Sequence, residues 1–116
     1  MRTQDLEKKF GFKPIQGEFV DVELAGAYTS DLLSDVMANA KSAGVLVTIQ
    51  AHKNTVAVAS LVGISAIVIC NGRECPEDMV EAAKGEGIAV FGTALSQFEV
   101  SGRLWPELGA SAREKA

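Results

Sequence analysis

The residues able to do chemistry fall in four short clusters. Ser30 and Asp31 pair a hydroxyl with a carboxylate, and Gln50, His52, Lys53 and Asn54 gather two amides, an imidazole and an ammonium. Asn71 and Arg73 flank Gly72, and Thr93 follows Gly92. Together the clusters offer hydroxyls, amides, backbone N–H groups and two cations, which suits an anionic ligand such as a phosphate or nucleotide. They are poor in reactive groups. His52 is the only histidine and the natural choice for acid–base work, but no nucleophile stands beside it. With Cys70 and Cys75 it makes three soft donors, where a structural zinc site wants four at tighter spacing. Cys70 closes an apolar run and reads as a small buried hydrophobe. Asp31 and Asp35, four residues apart, read as one solvated helix face. The same Ser30, Asn54 and Thr93 also serve as ordinary helix caps. No catalytic set, metal or cofactor is expected.

Each cluster must be held by the element before it. The first cluster opens a central helix over Ala27 to Ala40, with Leu32, Leu33, Val36, Met37 and Ala40 on its apolar face and Ser30 as cap. The second follows Val45 to Ile49, a continuous β-branched run that suits a strand covered on both faces. Asn54 is then placed to cap a helix over Thr55 to Leu61. The third follows a strand over Ala66 to Cys70 and precedes a helix opened by Pro76, with Glu77 and Asp78 near its positive end. The fourth follows a strand over Ile88 to Phe91 and leads, through a cap at Thr93 or Ser96, into a last helix stopped by Pro106. Before all of these, Thr3 to Phe10 reads as a short helix. Glu18 to Leu24, where Val20, Val22 and Leu24 alternate with acids, reads as an edge strand.

Strands alternating with helices predict an α/β chain. The expected form is a three-layer α/β/α domain over 1–116 with a small, mostly parallel, four-stranded sheet. Residues 1–15 supply an N-terminal helix and linker, and 105–116 a tail. In such sheets ligands bind beyond the carboxyl ends of the strands, where the four clusters should meet on one rim. The 116 residues carry 15 acids against 11 lysines and arginines, a net charge of −4, with no basic stripe. That argues against a nucleic-acid binder. Neither a secretory leader nor a membrane-spanning run is visible, so a cytoplasmic protein is expected.

Several stretches carry a family likeness. Gly26-Ala27-Tyr28-Thr29-Ser30-Asp31-Leu32-Leu33 looks like a first helix entry, and Thr48 to Thr55 lies where a Gly-Asp-Arg turn opens a helix. Val68-Ile69-Cys70-Asn71-Gly72 looks like a strand ending in a Thr-Gly-Gly turn, and Gly87 to Thr93 with Gln97-Phe98 like a final strand and helix start. In these, over about Gly26 to Leu104, the chain resembles the DRTGG-domain family, related to the amino-terminal domain of bacterial HPr kinase/phosphorylase, in a short stand-alone form. The Asp-Arg-Thr-Gly-Gly pentapeptide itself is absent, with His52-Lys53-Asn54 and Cys70-Asn71-Gly72 at the matching turns. A kinase of that kind needs a phosphate-cradling G-x-x-x-x-G-K-[ST] loop, which this sequence does not carry, so kinase activity is not expected.

The resemblance implies a non-enzymatic regulatory or ligand-sensing domain. Its expected partner is a small anionic metabolite or another protein, bound at Ser30, Asp31, Gln50, His52, Lys53, Asn54, Asn71, Arg73 and Thr93. Two alternatives stand beside it. One is a small enzyme or accessory subunit using His52, Arg73 and Asp31 on a phosphorylated substrate. The other is a redox or metal-linked protein using Cys70 and Cys75. The aromatics Tyr28 and Trp105 and a free sheet edge predict a homodimer.

Overall fold

The computed structural model describes residues 1–109. Its spine is a five-stranded sheet in the order β1-β5-β4-β3-β2, built from β1 (Lys13–Gln16), β2 (Ala27–Thr29), β3 (Val45–Thr48), β4 (Ala66–Ile69) and β5 (Ala89–Gly92). From β2 to β5 neighbours are parallel and in register, with Val45 opposite Ala66 and Ile67 opposite Val90. Every residue of β3 and β4 is buried, as their unbroken apolar runs require.

Successive parallel strands lie side by side, so right-handed crossovers put their helices on one face. Those helices are α2 (Leu33–Asn39), α3 (Lys53–Val62) and α4 (Glu77–Glu86). Val36, Val56, Ala59, Met79 and Ala83 pack there against Leu46, Ile67, Ile69 and Val90. The other face is covered by α1 (Asp5–Lys8), α5 (Gln97–Leu104) and a π-helical turn over Trp105–Gly109. Leu6, Phe12, Leu24, Val100, Leu104 and Leu108 close over Val45, Val47, Val68 and Phe91. Each fully buried side chain of this size contributes roughly 1.5–3 kcal/mol. The three-layer expectation is therefore met, with one strand more than expected.

Two strands are unexpected, β1 and β2, and one expected strand is missing; β1 pairs antiparallel with β5 at Lys13–Gly92 and Pro14–Phe91. Proline is tolerated because β1 is an edge. Gln16, only 4% exposed, anchors it by donating through Nε2 to the carbonyls of Glu18 (2.9 Å) and Ile88 (2.8 Å).

Glu18 to Leu24 does not form the expected strand. It lies across the α5 face as a cover, with Leu24 in the core, Phe19 and Val22 packed against it, and only a bridge from Arg2 to Glu23. The alternation is not kept: Val22 and Leu24 turn inward, but Val20 is 70% exposed and Phe19 packs on the core instead. The central helix is also shorter than expected, because Ala27 to Thr29 are spent on β2. Leu32 and Met37, expected inside, are 65% and 52% exposed. Ser30 is not the cap: Leu32 holds that position, and the Ser30 hydroxyl accepts from the Leu32 N–H at 3.2 Å.

At α3 the cap is His52, two residues earlier than Asn54, its Nδ1 accepting from the Asn54 N–H at 3.0 Å. Pro76 caps α4 from just outside rather than opening it, and Gly87 ends it with φ +68°. Ser96, not Thr93, caps α5. Pro106 does not stop the chain, which continues through the π turn. The remainder of the expected tail, 110–116, lies outside the described residues. Among the described residues no helix is long and apolar enough to cross a membrane.

Candidate functional site

All four loops that follow β2, β3, β4 and β5 leave the same end of the parallel sheet. They do not form one pocket. The loop after β4 runs to α4 on one face, and the loop after β5 runs to α5 on the other. That divergence is the geometry of a switch point, where α/β sheets open a crevice.

A cleft of about 500 Å³ lies there, lined by Lys13, Ile15, Gly72 to Cys75 and Gly92 to Ala94. Its size falls in the range of small-molecule sites. Two main-chain bonds hold its floor. The Asn71 N–H donates to the Leu95 carbonyl at 2.9 Å, and the Gly72 N–H to the Thr93 carbonyl at 2.8 Å. Asn71 (φ +61°) and Gly72 (φ +63°) make the left-handed turn that brings the loop back toward β5, a conformation that asparagine and glycine tolerate best. The Thr93 hydroxyl accepts from the Leu95 N–H at 3.2 Å and keeps its own proton to donate.

The charges in this cleft are unbalanced. The side chains of Lys13 and Arg73 have no ion pair or hydrogen bond among the described residues, while Arg2, Lys9 and Lys84 each meet an acid. Glu74 is the one carboxylate in the lining. Two unpaired cations beside one acid leave a local surplus of positive charge on an acidic chain.

The other expected residues have different employment. Oδ1 of Asp31 accepts from the Thr48 hydroxyl (2.8 Å), the Ile49 N–H (2.9 Å) and Gln97 Nε2 (2.9 Å). Gln50 Nε2 donates to the Asp31 carbonyl at 3.0 Å. Asp31 is thus a joint between the ends of β2 and β3 and the start of α5. Ser30 joins a second group beside α2, where Tyr28 donates to both Asp35 oxygens (3.0 and 2.9 Å) and Asn39 to Oδ1 at 2.8 Å. The Tyr28 hydroxyl first, then Ser30, holds the Asp35 carboxyl below its ordinary range, and the same contact raises the Tyr28 phenol. Lys53 and Asn54 line a separate groove of about 510 Å³ between α3 and α4 together with Ala82 and Glu86.

The enzymatic triad therefore lacks its geometry. No hydrogen bond or ion pair joins His52, Arg73 and Asp31, and His52 Nδ1 is committed to the α3 cap. The paired-cysteine reading fails on placement. Cys70 belongs to the core on the α5 face and Cys75 packs on the α4 face, so the sheet separates the sulfurs. Burial first, then the Asp31 charge, pushes the Cys70 thiol up to about 11, and burial also raises Cys75. Neither is a ready thiolate. Among the described residues no group of three or more possible metal ligands is gathered.

Lys13 and Gln97 were not among the expected site residues. Lys13 sits in a four-residue strand between Gly11 and Gly17, where no periodicity can show. Gln97 carried a signal, its place beside Phe98 at the start of the last helix.

No family model matches the sequence, and no curated protein matches it. The fold does have a solved counterpart. The CBS and DRTGG domains of the regulatory region of a Clostridium perfringens pyrophosphatase, solved with the activator diadenosine tetraphosphate, match 85% of this chain with a TM-score of 0.67 and 11% identity. The match takes in 44% of that chain, so this protein spans less than half of it. At that identity the likeness is one of fold, and it supports a DRTGG-related architecture.

Proposed function

We propose that this chain is a non-enzymatic, cytoplasmic regulatory domain that senses a small anionic ligand of phosphate or nucleotide type. The ligand sits at the crevice between the β4–α4 and β5–α5 loops. Lys13 and Arg73 supply the charge, and Thr93 a hydrogen-bond donor. The observation that carries the reading is the convergence of two unpaired cations on a cleft at the sheet's switch point. The solved counterpart, with its nucleotide activator, supports the ligand class. The kinship with the amino-terminal domain of HPr kinase/phosphorylase belongs to the same reading, on the turns at His52 to Asn54 and Cys70 to Gly72. The domain works as a homodimer.

Thermal shift against pyrophosphate, mononucleotides and adenosine dinucleotide polyphosphates tests the site. A ligand at 100 times its Kd stabilises the native state by about 2.7 kcal/mol. That raises Tm by roughly 10 °C or more for a domain of this size. Arg73→Ala and Lys13→Ala should each remove most of the shift, while Lys53→Ala on the α3–α4 groove should leave it. No shift from any compound, or a shift that survives both cleft substitutions, ends the proposal.

A further inference from the structure

We propose that the outward face of α5 is a self-contact surface on which a second copy of this chain docks antiparallel about a two-fold axis. The inference rests on the homodimer in the reading above and uses observations separate from the cleft.

One side of α5 is core, through Val100 and Leu104. The opposite side is also apolar. Phe98 is 88% exposed and Trp105 is 55% exposed, with exposed Gly102 between them. At 3.6 residues per turn, positions 98, 102 and 105 share a face. A side chain at Gly102 would meet nothing within 4 Å, so the notch there opens outward and lets another backbone approach closely. A groove of about 190 Å³ between α5 and the edge strand β2, lined by Thr29, Ser101, Leu104 and Trp105, continues the surface.

Charge identifies the occupant. Glu99 and Arg103 flank the stripe on one side, and neither forms an ion pair among the described residues. About a two-fold axis near Ser101 and Gly102, Glu99 faces Arg103 of the second copy, and Arg103 faces its Glu99. Phe98 meets Trp105 of the second copy at each end, and the two Gly102 notches meet in the middle. The surface is its own complement, which is what an isologous contact requires. Aromatic anchors flanked by exposed charges are the usual anatomy of such a contact.

Sedimentation equilibrium of the full chain tests the surface, with circular dichroism as the check on folding. The native chain should be a dimer. Phe98→Lys should weaken association about 30-fold or more, as loss of an aromatic anchor does. Leu61→Lys, on exposed α3, should not. Glu99→Arg and Arg103→Glu should each shift the folded chain toward monomer, and the double exchange should restore the dimer. Both exchanges oppose the helix dipole, singly and together, so restoration cannot come from the helix itself. A monomeric native chain, a dimer indifferent to Phe98→Lys, or a folded double exchange that stays monomeric would each overturn the proposal. The thermal-shift result at the cleft is read independently and does not decide it.

Discussion

Three donors converge on a single oxygen of Asp31, and its carbonyl takes a fourth from Gln50. A residue so engaged orders three loops without being available to a ligand. Tyr28 and Asp35 form a second engaged pair, and their shifts have signs that can be measured. Asp35 lies below its ordinary 3.8, so the folded state holds that proton more weakly than the unfolded state does. The resulting stability is complete above about pH 4 and is lost as pH falls through the folded value. Tyr28 lies above its ordinary 10.0, so its share is complete below that pH and is lost as pH rises through the folded value. Asp35→Asn should flatten both limbs of the stability profile, read as urea midpoints across pH. Unchanged limbs would show that the pair contributes nothing. The sequence made the polar rim visible but not the division of labour along it. Ser30, Asp31, His52 and Asn71 all look like ligand residues by type. Partnership separates them: Asp31 is taken up by Thr48, Ile49 and Gln97, which depends on strand register, while Ser30 and His52 accept only from the local N–H groups of Leu32 and Asn54.

At the scale of elements, strands with continuous apolar runs were the easiest to read. Val45 to Thr48 and Ala66 to Ile69 are buried on both faces, and composition alone marks such strands. Short elements with mixed exposure were lost. Ala27 to Thr29 carries no periodicity over three residues, and Lys13 to Gln16 is broken by a register irregularity after Pro14. Glu18 to Leu24 misled in the opposite sense, since its apolar and acidic residues alternate in sequence while Phe19, not Val20, packs on the core. The π turn gives a local test. Gly109 is buried, and a methyl group there would overlap the Trp105 ring. Gly109→Ala should lower stability by about 1–3 kcal/mol, as overpacking does. Because Trp105 is the only tryptophan, its emission should shift at the same time. Native-like emission and stability in that variant would refute the contact.

The whole molecule is assembled from two layers that differ in chain separation. On the α2–α4 face each crossover joins strands about 20 residues apart, while on the α5 face the segment before β2 meets the segment after β5. Gln16 bonds to Ile88, 72 positions away, Thr29 to Ser101, also 72 apart, and Lys9 approaches Glu107 at 3.5 Å. Contacts of low separation form earlier, because they close shorter loops. Ile67→Val should therefore slow folding, and Leu6→Ala should mainly accelerate unfolding, as read from the two chevron arms. Equal partition for both would contradict this order. The packing of Leu6, Leu24 and Leu108 on the α5 face then has a practical meaning for handling the protein. Under mild denaturant the sheet's second cover should peel away first, baring Val45, Val47, Val68 and Phe91 as one sticky plane. Concentrated samples should clump there well before the rest of the chain lets go.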